Sequence, residues 1–299
     1  VGTDLLYLYG DCSRISYVAS VRKSILAILY GNYVADGTIN LDATLEDLQF
    51  DDKGGLLPIE RKATVKDLIT ARSGVYHPAS NEGDNTDFAP QRGSKVPGTY
   101  FLYNNWDFNA AGAVLEKKTG LEVYDIFEQH LAKPLGFQDF RRRSHKKSGD
   151  KSQSDHLAYH FLLSTRDMAR IGYLMLRDGN WFDEQVVPAD WIRRIKTTFT
   201  PRSEINPPHV REEPFEYGYM WWIYAGSDPR LKGVYTASGA YGQFITVVPD
   251  LEIVIAHKVN PSMSDRLKYE NATEKISVLQ NQYLEIVAAI TEAKLESKP

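Results

Sequence analysis

Ser20 and Lys23 stand three residues apart in the stretch "YVASVRKSILAILYGNYV", residues 17–34. A serine with an amine one helical turn away can do chemistry: the amine takes the hydroxyl proton and the oxygen attacks a carbonyl. Val21, Ile25, Ile28 and Leu29 recur at helical spacing, so a buried helix opening at Ser20 is expected, with Ser20 and Lys23 on one face. The same residues fit a plainer reading, a serine N-cap followed by a solvated lysine. Two further pairs, Ser144–Lys147 and Ser148–Lys151, share the spacing within the polar run "RRRSHKKSGDKSQSD". This serine and lysine content yields roughly one such pair by chance, so the spacing alone is weak evidence. Context separates them. Only Ser20 follows a β-like stretch, "ISYVA", and opens an apolar helix where a side chain can be fixed and desolvated.

Two other stretches carry residues of interest. In "FLYNNWDFN", Tyr103 and Asn105 lie two apart just ahead of a helical pattern; a core tyrosine and a cap at Asn104 or Asn105 would explain them structurally. In "YTASGAYGQFITVVP", the small residues Ala237, Ser238, Gly239, Ala240 and Gly242 interrupt a strand-like run, which marks a bulge or close backbone approach by a ligand. His156 and His160, in "HLAYH", could face one way on a helix, but the glutamate of a zinc hydrolase is absent and no third ligand is evident. Ordinary polar or packing roles are expected for both. The sequence has no G-x-S-x-G elbow, no G-x-G-x-x-G and no P-loop.

The elements that must position these groups follow from periodicity. "LLYLYG", residues 5–10, reads as a short strand. Helices are expected over "ATVKDLITARSGV" (cap Thr64, exit Gly74), "NNWDFNAAGAVLEKKTG", "VYDIFEQHLAKPLG" and "STRDMARIGYLMLRDG". Between the first two lies a long loop, residues 78–98, of the kind that forms binding loops. From Tyr217 onward the runs are β-rich, and a last helix carries Ile276, Leu279, Tyr283, Ile286 and Ile290 on its apolar face. Strands at both ends with helices between predict an α/β fold: one sheet built from both termini and an inserted helical region. The division would be 1–40 with 205–299 for the sheet part and 41–204 for the helical part of a single catalytic unit, 1–299.

Composition excludes several classes. At 299 residues the chain can bury a large core, and 42% hydrophobic with 25% charged residues is ordinary for a globular protein. A net charge of −4 gives no reason to expect nucleic acid, and the basic cluster 141–147 reads as a solvated loop. No apolar run reaches the length of a membrane span. The single cysteine, Cys12, excludes an intrachain disulfide and a cysteine-based metal site. The lone sequon, Asn271-Ala-Thr273, is close to chance. A start at Val1 is compatible with a removed leader or a trimmed chain.

Taken together and in order, S-x-x-K, then Y-x-N about eighty residues on, then x-[ST]-G before a late strand, resemble the serine β-lactamase and penicillin-binding-protein pattern. The sequence is similar to the branch containing class C β-lactamases, family VIII carboxylesterases, D-aminopeptidases and nylon-oligomer hydrolases. "VADGTINLDATLEDL", "PGTYFLYNN", "LAKPLGF", "LSTRDMARIGYLMLRDGNW" and "YGYMWW" extend the likeness over roughly residues 13–259. The resemblance implies a β-lactamase/transpeptidase-like fold and a serine hydrolase with no cofactor and no metal. It makes Ser20 the acylated nucleophile, Lys23 its proton acceptor, Tyr103 a proton shuttle and Asn105 the amide that orients substrate. Ala237, Ser238 and Gly239 fall where lactamases have K-T-G, and the backbone N–H groups of Ser20 and Ala240 would form the oxyanion hole. The lactamase lysine, which helps hold a substrate carboxylate, is Ala237 here, so an ester or amide is expected as substrate ahead of a β-lactam or a cell-wall peptide. Trp106, Trp221, Trp222 and the loop 78–98 are expected to set specificity. Relatives usually carry a further helix and strands upstream, and a periplasmic or secreted location is slightly favoured by the resemblance. Oligomeric state is left open. The rival of a different class is a silent member that binds a peptide-like or cell-wall ligand, and Ser20, Lys23, Tyr103 and Asn105 together argue against it.

Overall fold

In the computed structural model, which describes residues 11–81, 83, 85–259 and 280–296, the chain enters through strand β1 (Ser16–Tyr17) and turns into helix α1 (Val21–Ala35). Every residue of α1 from Val21 to Gly31 is buried, so the helix runs through the core rather than along its surface. Helix α2 (Val65–Ile69) starts in a capping box, Thr64 accepting from Asp67 N while the Asp67 carboxylate accepts from Thr64 N. It stops at Thr70, short of the expected exit at Gly74, because Ala71 takes a left-handed φ of 57°. Helix α3 (Asn105–Thr119) is capped by Asn104 and closed by Gly120 in the left-handed conformation. Helix α4 (Val123–Phe127) continues into a π-type turn, Glu128–Ala132.

Strand β2 (Lys146–Ser148) pairs with β3 (Ala158–His160), and β4 (Leu162–Leu163) pairs antiparallel with β1. Helix α5 (Thr165–Leu176) follows, capped by Ser164, then the hairpin β5 (Asn180–Trp181) and β6 (Glu184–Gln185), and helix α6 (Ala189–Ile195). The principal sheet is made by β7 (Phe215–Tyr217), β8 (Trp222–Tyr224), β9 (Tyr235–Gly239), β10 (Gln243–Val248) and β11 (Ile253–His257). It is antiparallel in the order β11-β10-β9-β8-β7. Helix α7 (Gln280–Glu296) completes the described chain.

Alternation along the strands sorts the core into two layers. Tyr235, Ala237, Ile245 and Val247 face the main core with α1 and α5, while Phe244 and Val248 meet Tyr283 and Val287 of α7 on the other side. The Tyr283 ring stacks on Phe244 at 4.0 Å, and its hydroxyl donates to Thr246 Oγ1 at 2.9 Å. The docking face of α7 is therefore Tyr283, Val287, Ala288 and Thr291, whereas Ile286 of the expected face is 43% exposed. Ile276 and Leu279 lie outside the described residues.

The α/β architecture with an antiparallel sheet agrees with the sequence reading. Among the described residues the five-stranded sheet draws its strands from residues 215–257, and β1 pairs with β4. The "LLYLYG" run lies outside the described residues. The basic cluster is not merely solvated: Arg142 pairs with Asp125 at 2.5 Å and with Glu122, and Lys147 pairs with Glu116.

His145 supports β4 from behind. Its Nδ1 accepts from Leu162 N at 3.1 Å, and its ring stacks on Phe140 and Tyr124. Burial, with Arg142 adding to it, lowers its pKa from the ordinary histidine value to about 4. Between that value and the unfolded value near 6.5 the unfolded chain binds the extra proton, so stability falls as pH drops through this window. The melting temperature of wild type relative to His145→Phe is expected to fall from pH 7 to pH 5. A difference independent of pH would contradict a neutral buried ring.

Candidate active site

Two devices place Ser20. The pairing of β1 with β4 and the bond from Val18 N to Phe161 O (3.2 Å) anchor the chain just ahead of it. Ala19 then takes φ 48°, a left-handed turn that alanine adopts at a cost, and reverses the chain into α1. Ser20 occupies the N-cap position with φ −72° and ψ −8°, yet its side chain makes no capping hydrogen bond. The plain N-cap role is thereby excluded, and the hydroxyl is turned elsewhere.

It is turned to Lys23. Lys23 Nζ lies 3.0 Å from Ser20 Oγ and 2.7 Å from Tyr103 Oη, bridging the two hydroxyls. The lysine is 2% exposed, and its Nζ stands 4.1 Å from the Tyr103 ring centroid and 4.8 Å from that of Phe108. Tyr103 is held in turn by rings: Phe108 at 4.8 Å, Trp222 at 5.6 Å and Tyr217 at 6.1 Å. Ser20, Lys23 and Tyr103, spread over eighty-odd positions of sequence, form one hydrogen-bonded line.

Asn104, not Asn105, caps α3, accepting from Asp107 N at 2.9 Å. Asn105 is thus the first helical residue, and its Nδ2 donates to Asn81 O at 3.1 Å. Trp106 requires a correction. It is 1% exposed, donating from Nε1 to Asp52 Oδ2 at 2.6 Å, because the next position on the helix is rotated into the core. It cannot line a substrate site. Trp221 is likewise enclosed, its Nε1 donating to Ser24 O at 3.2 Å, whereas Trp222 packs on Tyr103.

Strand β9 supplies the opposite wall. A Cβ added at Gly239 would stand 2.6 Å from Val18 O and 3.1 Å from Ser20 N, so the strand's end passes directly against the turn that carries the serine. Only glycine allows that approach. Ala240 follows at the exposed start of the hairpin turn. Among the described residues neither the Ser20 N–H nor the Ala240 N–H donates a hydrogen bond within the fold. Ser238 is half-buried, and Ala237 is fully enclosed on the core face of the strand, opposite Ile245.

His156 and His160 are not on a helix: β3 contains His160, which meets Ser148 Oγ at 2.7 Å, and His156 Nε2 meets Asp51 O at 2.8 Å. No cluster of three or more His, Cys, Asp or Glu able to hold a metal occurs among the described residues. Sequence reasoning missed Phe108, Tyr217, Asn81 and Asn85, the last donating to Tyr103 O at 3.1 Å. The asparagines of the loop offered no signal before their partners were known.

Known proteins share this fold. An uncharacterised protein of Alkalihalophilus pseudofirmus is 23% identical over 265 residues, covering 82% of this chain and 73% of that protein. A Bacillus anthracis structure described as a candidate 6-aminohexanoate-dimer hydrolase superposes with a TM-score of 0.65 at 19% identity, covering 96% of this chain and 76% of that one. A candidate β-lactamase of Bacteroides dorei gives 0.68 at 19% identity, over 96% and 87% of the two chains. Residues 15–275 match the β-lactamase family model. The chain belongs to the β-lactamase family and is a hydrolase of the serine β-lactamase-like superfamily.

Proposed function

We propose that the protein hydrolyses an ester or amide through an acyl-enzyme on Ser20. The observation that carries this reading is the Ser20–Lys23–Tyr103 line, with Nζ within hydrogen-bond reach of both hydroxyls. A serine hydroxyl is a poor nucleophile until a base removes its proton, and Lys23 is placed to do so. As Ser20 Oγ bonds to the carbonyl carbon, its proton passes to Lys23 Nζ. The carbonyl electrons move onto oxygen, where the N–H groups of Ser20 and Ala240, which donate to no described residue, would receive them. The intermediate collapses with loss of the alcohol or amine, which takes a proton delivered through Tyr103. Water then attacks the acyl-enzyme by the same route in reverse and frees Ser20.

Ala237 supports an ester or amide over a β-lactam. The lysine that the resemblance gives lactamases at this place would hold a substrate carboxylate through a charge-assisted bond worth about 1.5–3 kcal/mol, or roughly tenfold to a hundredfold in kcat/KM when it strengthens in the transition state. Alanine supplies none of it. Short-chain p-nitrophenyl esters are expected to give kcat/KM at least about tenfold above nitrocefin. Nitrocefin turnover on a par with the best ester would make lactamase the primary activity.

A further inference from the structure

Arg22 lies between the nucleophile and the lysine and has no part in the reaction described above. It is 2% exposed, yet among the described residues it has no carboxylate partner. Its Nη2 donates to Asn109 Oδ1 at 2.9 Å, its Cζ stands 4.6 Å from the Tyr159 ring centroid, and its Nη1 is buried without a partner in hydrogen-bond geometry. A guanidinium does not shed its proton, and an enclosed cation without a counter-ion is costly. An unbranched apolar side chain in its place would remove the buried cation but leave Asn109 Oδ1 without its donor.

The contacts that begin at Arg22 have a fixed direction. Arginine has donors only, so Asn109 must turn Oδ1 toward it and Nδ2 away. That Nδ2 donates to Asn81 Oδ1 at 2.8 Å, and Asn81 O accepts from Asn105 Nδ2 at 3.1 Å. Asn105 and Asn109 lie four apart on one face of α3 and hold Asn81 at two points. Lys23 Nζ stands over Phe108, the neighbour of Asn109, so consecutive residues of α1 grip consecutive residues of α3.

We propose that Arg22 and Asn109 are positioning residues for the acyl-transfer site. The chain Arg22 to Asn109 to Asn81, closed by Asn105, fixes α1 on α3 at the level where Lys23 meets Tyr103, and sets the Asn105 amide. The inference rests on reading Ser20, Lys23 and Tyr103 as the reacting groups.

The test measures kcat, KM and melting temperature with a p-nitrophenyl ester. Arg22→Met and Asn109→Leu are each expected to lower kcat by about tenfold to a hundredfold, the scale of a displaced catalytic group. Arg22→Met removes a buried cation while orphaning Asn109 Oδ1, so it should melt near the wild-type temperature, and the double variant should have a kcat little worse than either single one. Asn109→Asp should keep kcat within about threefold of wild type, because a carboxylate still accepts from Arg22 and the Asn81 amide can turn to donate to it. Wild-type kcat in both Arg22→Met and Asn109→Leu would overturn the proposal. If Arg22→Met does not fold, the Asn109 variants decide: equal kcat in the Leu and Asp forms overturns it. A wild-type enzyme with neither ester turnover nor labelling at Ser20 would instead refute the assignment of the reacting groups.

Discussion

Ser20→Ala is expected to abolish turnover of short-chain p-nitrophenyl esters, with kcat falling on the order of 10⁴-fold or more, the scale on which serine hydrolases lose activity without their nucleophile. Removal of Oγ leaves Lys23 and Tyr103 with no atom to activate. The fold should tolerate the change, since the Ser20 side chain makes no capping bond that alanine would lose. Ser144→Ala and Ser148→Ala are the controls with the same spacing to a lysine. Ser148 Oγ is engaged with His160, and Ser144 closes the short turn Arg142–Ser144, so both variants should keep wild-type kcat. Steady-state kinetics on the three variants checks this. Residual activity in Ser20→Ala comparable to wild type would refute the site.

Lys23→Ala and Tyr103→Phe are each expected to lower kcat by on the order of 10²-fold or more, the usual worth of a positioned acid or base. Lys23 Nζ lies 2.7 Å from Tyr103 Oη, so a proton leaving Ser20 has one continuous path through both groups. Once either end of the path is missing, loss of the other should matter little. The double variant is therefore expected to fall far short of the product of the single effects. Kinetics on the double-mutant cycle reads this directly, and simple multiplication of the two losses would show that lysine and tyrosine act independently.

The parts of this site legible in the sequence are those whose chemistry is local. Ser20 and Lys23 are tied by helical spacing, and the small residues around Gly239 signalled the close approach that the strand makes to Ser20 N. The capped helices were legible for the same reason: Thr64, Ser164 and Gly120 act within a few residues of themselves. Trp106 misled because one step along a helix turns a side chain by about 100°, and the sequence does not say which step faces the substrate. The pairing of β1 with β4 was not legible because strand pairing depends on contacts between segments well over a hundred residues apart in the chain. Asn81 and Arg22 were invisible because their partners on α3 lie 28 and 87 positions away.

The central claim is a covalent intermediate on one serine, and intact mass reads it most directly. After incubation with a fluorophosphonate, the wild-type chain is expected to gain a single phosphonyl adduct. Peptide mapping should place it on Ser20, and Ser20→Ala should gain nothing under the same conditions. A full adduct on Ser20→Ala, or an adduct mapped to another residue in the wild type, would contradict the account.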